Sequence, residues 1–146
     1  MLRALEGRPR AAGLLAWLRL VRVFQRVDRA STEQLRCRQI SPAQLDVLAR
    51  VGSDEGISQQ RLADALLVTK GNISQLLRKL EQFGLITRRQ EGRTNCLSLT
   101  EQGQQLFDRV VPQQEALIAD LLAPLSDDEQ RELLRLLRKL DQNITT

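Results

Sequence analysis

Apolar residues recur every three or four positions along most of the chain, and only one short stretch alternates with a period of two. Trp17, Leu20, Phe24 and Val27 mark one face of a long helix over roughly residues 11–38, because side chains at that spacing stack on a 3.6-residue repeat. Arg19, Arg22, Arg26 and Arg29 form a second, solvated stripe on it. Ser41-Pro42-Ala43-Gln44 combines a capping serine, a proline at the first helical position and a glutamine at the third, which is a strong helix start. That helix carries Leu45, Leu48 and Ala49 and stops near Gly52, before a turn at Ser53-Asp54-Glu55-Gly56. Ser58 caps a short helix over residues 59–66, with Leu62, Ala63 and Leu66 apolar. Thr69 caps another over about 70–83, whose buried side is Ile73, Leu76, Leu77 and Leu80; Gly84 ends it in a left-handed cap.

The period then shortens. Residues 85–89 and 95–99 predict two strands around a turn at Glu91-Gly92. Thr100 begins a long helix to about Leu122, with Leu106, Val110, Leu117, Ile118 and Leu121 inward. Pro112 lies inside it and predicts a kink or break near residues 108–112. Pro124 ends this segment, and Ser126-Asp127-Asp128-Glu129 starts a last helix to about Gln142 carrying Leu133, Leu136, Leu137 and Leu140. Helix, turn, helix and hairpin in that order make a mainly α chain built around a winged helix-turn-helix.

Composition narrows the chemistry. A length of 146 residues suits one domain or one protomer. There is no histidine, which removes the usual proton shuttle, the commonest metal ligand and any His-dependent triad. No cofactor or metal is expected. Two cysteines cannot make a disulfide framework, so a reducing, cytoplasmic and nucleoid-associated setting is expected. The apolar run 11–18 after Arg8 and Arg10 has the look of a secretory leader, but Arg19 and Arg22 interrupt it and no clean cleavage site follows. No segment reaches the roughly 18 apolar residues needed to span a bilayer. The net charge is only +4, yet it is unevenly spread: residues 1–38 carry +6, residues 39–68 carry −2, residues 69–93 carry +4 and residues 94–146 carry −4. Such asymmetry points to an anionic partner at one face.

Double-stranded DNA fits that face. A recognition helix sets its N-terminal residues against base edges in the major groove, while the preceding helix crosses the backbone. Thr69, Lys70, Asn72, Ser74 and Gln75 stand at that helix start as candidates for base readout, and Gly71 permits close approach; Asn and Gln pair with adenine and Lys with guanine. Ser58, Arg78, Lys79, Arg88 and Arg89 are candidates for phosphate contact, and Arg93, near the hairpin tip, for a narrow minor groove. The alternatives require other features. A winged-helix protein-interaction module would need no preference for duplex. RNA or single-strand binding needs stacking aromatics, whereas Trp17, Phe24, Phe83 and Phe107 occupy apparent core positions. An enzyme needs a nucleophile–base pair, paired carboxylates or a phosphate loop, and none is visible. Asp127-Asp128-Glu129 is a helix cap and dipole complement rather than a metal cluster.

The stretch LADALLVTKGNISQLLRKLEQFGLITRR, residues 62–89, followed by LSLTEQG, residues 97–103, resembles the MarR family of bacterial transcriptional regulators. Leu80-Glu81, Gly84-Leu85-Ile86, Leu99-Thr100 and Gly103 match the family's pattern, and the order of six helices and a wing covers nearly the whole chain. The wing tip is about three residues shorter than usual, and the family's Asp-x-Arg becomes Glu91-Gly92-Arg93. The resemblance implies three parts: an N-terminal dimerisation helix over 1–40, a DNA-binding winged helix-turn-helix over 41–100, and C-terminal dimerisation helices over 101–146. It implies an obligate homodimer, and Trp17, Leu20, Leu133, Leu136, Leu137 and Leu140 are the candidate interface residues. It further implies a small aromatic or apolar effector between the two lobes, and repression as the commoner mode. Some family members sense oxidants through cysteine; Cys37, flanked by Arg36 and Arg38, is the redox candidate here, with Cys96 on the wing as the other thiol.

Overall fold

The computed structural model describes residues 11–144. Six α-helices and one hairpin follow the expected order: α1 Ala11–Leu35, α2 Pro42–Ser53, α3 Gln59–Leu66, α4 Lys70–Gln82, β1 Ile86–Glu91, β2 Thr94–Leu99, α5 Glu101–Leu122 and α6 Asp127–Asn143. A 3₁₀ turn at Arg36–Arg38 closes α1. Two helices begin with full capping boxes. Ser41 accepts from the Gln44 N–H while the Gln44 side chain accepts from the Ser41 N–H, and Ser126 and Glu129 repeat the exchange. Four otherwise orphaned donors are thereby satisfied. Ser58, Thr69 and Thr100 cap α3, α4 and α5 by the simpler side-chain bond.

The core lies in the middle of the chain. Val47, Leu48 and Val51 of α2, Leu62 of α3, and Ile73, Leu77 and Leu80 of α4 are fully buried. The wing closes one side through Ile86 and Leu97, and α1 and α5 reach in with Leu35 and Val110. Leu66, Leu76 and Leu106 pack at its edge.

β1 and β2 pair antiparallel from Ile86↔Leu99 to Glu91↔Thr94. Both strands are thus longer than the alternation predicts, and the turn residues are Gly92 and Arg93 rather than Glu91 and Gly92. Gly92 has φ +62°, as a two-residue hairpin of the II′ kind requires at its first central position. A third short segment joins the sheet edge. The Gly56 N–H donates to Leu97 O at 2.8 Å, and the Leu97 N–H donates to Ile57 O at 3.0 Å. Three residues are too few to show a period, so the sequence pattern left this segment as a turn.

The root of the wing explains the glycine in Leu99-Thr100-Glu101-Gln102-Gly103. The Thr100 N–H donates to Leu85 O at 3.1 Å, and its hydroxyl donates to Gly84 O at 2.6 Å. These bonds press the first turn of α5 onto the 84–85 backbone. A Cβ on Gly103 would fall inside contact distance of the Leu85 carbonyl. Gly84, at φ +69°, makes the sharp turn that brings Leu85 there.

Two expectations are corrected. Of the kink or break expected near residues 108–112, the break does not occur, and α5 is continuous through Pro112. Proline removes one N–H, but Asp108, whose carbonyl loses its partner, is exposed to water, while Val110 anchors the helix in the core. The aromatic residues are not mainly core. Trp17 is 59% exposed, Phe24 65% and Phe83 46%, and only Phe107 packs against the core. Ile118 and Leu121 are likewise exposed, and no residue of α6 is buried. The apolar faces are where the periodicity puts them, but nothing among the described residues covers them. No described helix is long and apolar enough to cross a membrane.

Candidate nucleic-acid interface

The Thr69 hydroxyl accepts from the Asn72 N–H at 3.2 Å and starts α4. Thr69 is thus partly occupied as a cap, while Lys70, Gly71, Asn72 and Gln75 stand exposed around it. The turn between α3 and α4 passes through Leu67, left-handed at φ +53° and 82% exposed. The run Leu66-Leu67-Val68 gave no signal as to which of three apolar residues would face out.

A groove of about 420 Å³ lies between α3, the start of α4 and the wing. It brings together Ser58, Lys70, Ser74 and Arg93 of the predicted residues, and adds Gln59 and Asn95. The last two escaped sequence reasoning because α3 was judged by its apolar face and β2 by its alternation. Ser58 accepts from the Arg61 N–H at 3.1 Å as the cap of α3.

The six cations of residues 69–93 fall into two classes. Arg88 and Arg89 are engaged within the fold. Arg88 Nε and Nη2 donate to the two oxygens of Glu81 at 3.2 and 2.9 Å, and its Nη1 donates to Gln59 Oε1 at 3.1 Å. This half-buried, bidentate pair ties β1 to the last turns of α4. Arg89 pairs along its own strand with Glu91 and holds that carboxyl below its usual range. Arg88 is therefore a strut rather than a free phosphate ligand, and Arg89 reaches outward only as half of a pair. Lys70, Arg78, Lys79 and Arg93 are exposed and make no ion pair among the described residues. Since Glu81 and Glu91 are the only acidic groups in the segment, its net +4 is carried by these four side chains.

The thiols are both free. Desolvation and the neighbouring Glu91 carboxylate push the Cys96 thiol above its usual pKa, the direction opposite to that of a reactive thiolate. Cys37 is exposed, and its thiol donates to Gln34 O at 3.5 Å.

A second hollow, of about 270 Å³, opens where the 3₁₀ turn, the end of α4 and the start of α5 meet. Ile40, Phe83, Leu85 and Leu106 give it apolar walls, and Arg38 and Arg109 give it two guanidinium groups.

Residues 38–94 match the model of the MarR family. An HTH-type transcriptional regulator of Bacillus cereus is 35% identical over 93% of this chain and 93% of its own length. The chain belongs to the MarR family of transcriptional regulators. The MarR-family relatives include the transcriptional repressor MdtR of Bacillus subtilis, 28% identical over 88% of this chain and 85% of its own. Among solved structures, a MarR family protein of Mycobacterium tuberculosis in complex with salicylic acid is 30% identical, with a TM-score of 0.66 over 83% of this chain and 92% of that one. Membership makes the winged helix-turn-helix a DNA-binding unit and the chain a transcriptional regulator.

Proposed function

We propose that this regulator binds a pseudo-palindromic operator as a homodimer, represses transcription from it, and is released by a small aromatic anion. The observation that carries the DNA reading is an exposed polar helix start with Lys70 and Arg93 on the groove beside it and Arg78 and Lys79 exposed further along the same helix, none of the four ion-paired among the described residues. Thr69, Lys70, Asn72, Ser74 and Gln75 face base edges in this reading. Arg78 and Lys79 hold phosphates, and Arg93 follows the wing into the minor groove. Dimerisation is supported by the bare apolar faces of α1 and α6, on which Trp17, Leu20, Leu136, Leu137 and Leu140 stand exposed and Leu133 stands half-buried; water-exposed faces of that kind mark association surfaces. A symmetric pair places two recognition helices on half-sites about 34 Å apart.

The effector reading rests on the second hollow. Its apolar walls suit a ring, and Arg38 and Arg109 suit a carboxylate. A tuberculosis relative is described with salicylic acid.

One experiment separates these claims. Duplexes are selected by the purified protein from a random pool, then titrated in rising salt, with and without salicylate. Four phosphate contacts per dimer, from Arg78 and Lys79 of each copy, give a slope of log K against log salt of about −3.6. A selected inverted repeat with that slope supports the operator reading. No preference for duplex over heparin favours the protein-interaction module instead. Binding that ignores salicylate at millimolar concentration removes the aromatic anion from the proposal.

A further inference from the structure

Gln59 touches both the wing and the recognition helix. Its Oε1 accepts from Arg88 Nη1 at 3.1 Å, and its Nε2 donates to Ser74 Oγ at 2.9 Å. The orientation of a glutamine amide is decided by its partners, and here only one orientation works. A guanidinium has donors and no acceptor, so the amide oxygen must face Arg88 and the amide nitrogen must face Ser74. Glu81 holds Arg88 in place by binding its other two guanidinium nitrogens. The effect ends on a hydroxyl. Ser74 Oγ receives a hydrogen bond from the protein, and among the described residues its own proton has no acceptor. Ser74 lines the 420 Å³ groove beside Lys70 and Arg93.

We propose that Ser74 contacts DNA as a hydrogen-bond donor, and that Gln59, oriented by Arg88 and Glu81, is the positioning residue that fixes this polarity. A serine free to rotate either donates or accepts. A serine so constrained keeps its proton for an outside acceptor, a purine N7 on a base edge or a phosphate oxygen. Its second lone pair stays open, so the constraint decides where the proton goes and not whether the oxygen also accepts. The relay therefore converts the fold's internal ion pair into a choice at the DNA surface. The proposal rests on the DNA-binding reading above.

The test uses the full-length protein and the duplex that it selects from a random pool. Single positions in both half-sites are replaced by 7-deazapurines, which lack N7, or by methylphosphonates, which lack a charged phosphate oxygen. Wild type is expected to lose about fivefold in affinity per half-site, about 25-fold for the pair, the size of one net hydrogen bond in each; whichever modification does so identifies the acceptor. S74A removes the hydroxyl and should bind modified and unmodified duplexes alike. Q59E leaves Arg88 a carboxylate oxygen but turns an acceptor toward Ser74, so that the hydroxyl donates inward. Q59E should show the same insensitivity at the same position, and the S74A/Q59E double variant should add nothing to either change. Wild-type sensitivity retained in Q59E, or its retention in S74A, overturns the proposal. So does a wild type that selects a sequence yet ignores both modifications. A wild type that selects no sequence at all brings down the DNA-binding reading itself, which is a separate outcome.

Discussion

The winged lobe and the terminal helices spend their leucines differently. In α2 to β2 the apolar residues point at one another, and Leu48, Leu62, Leu77, Leu80 and Leu97 are sealed from water. In α1 and α6 the stripes are just as regular, yet Trp17 and Phe24 stand mostly exposed and α6 buries nothing. The same period thus serves two purposes. One set of faces is satisfied by the chain that carries it, and the other is left open to water among the described residues. Hydrophobic spacing reports that a helix has a greasy side; it is silent on what covers that side.

The sharpest way to break the comparison is at α6. Leu137→Glu with Leu140→Glu places two charges on each apolar face. If a second copy covers those faces, the dimer dissociation constant measured by sedimentation should rise about 100-fold or more, since each buried leucine is worth roughly 1.5–3 kcal/mol. A doubly substituted protein as dimeric as wild type would mean that α6 is not the interface.

A smaller effect tests the other region. Gly103→Ala pushes a methyl group against the Leu85 carbonyl, which cannot retreat without giving up its bond to the Thr100 N–H. Overpacking of this kind costs about 1–3 kcal/mol. It should lower the urea midpoint at unchanged slope while leaving the dimer dissociation constant alone. A shift in both quantities would show that the two regions are less separable than their burial suggests.

The smallest effect lies at the seam between them. Burial, and then the Asp28 carboxylate on α1, raise the pKa of Asp46 on α2 above its ordinary value. The folded chain therefore holds that proton more tightly than the unfolded chain. Ionising Asp46 costs stability as pH climbs through the raised value, and below the ordinary value both states are protonated and nothing is lost. Asp46→Asn should accordingly raise the melting temperature slightly at pH 7, with the gain fading as the pH falls through the raised value and gone below 3.8. A lower melting temperature at pH 7 would contradict this sign.

Much of the fold was legible because its punctuation is local. Ser41 and Gln44, or Ser126 and Glu129, find each other within one turn of helix whatever the rest of the chain does. The pairing of Gly56 and Ile57 with Leu97 was not legible, since it depends on residues some forty positions apart and on no pattern of its own. The candidate site divides in the same way. Charge count located the basic segment. It took the Glu81 carboxylate, seven residues from Arg88, to separate a strut from the cations that remain free. Gln59, the residue that joins wing to recognition helix, carries no charge and breaks no period, so nothing in the sequence marked it.

The joint at Gly103 has a mechanical consequence. The helix that carries that joint, α5, is continuous over 22 residues, a rod of about 33 Å at 1.5 Å per residue. A rod clamped at the root of the wing acts as a lever, with its handle near Leu121 and its short end under the hairpin. A tilt imposed at the handle passes Pro112, where the helix lacks one hydrogen bond, before it reaches the hairpin.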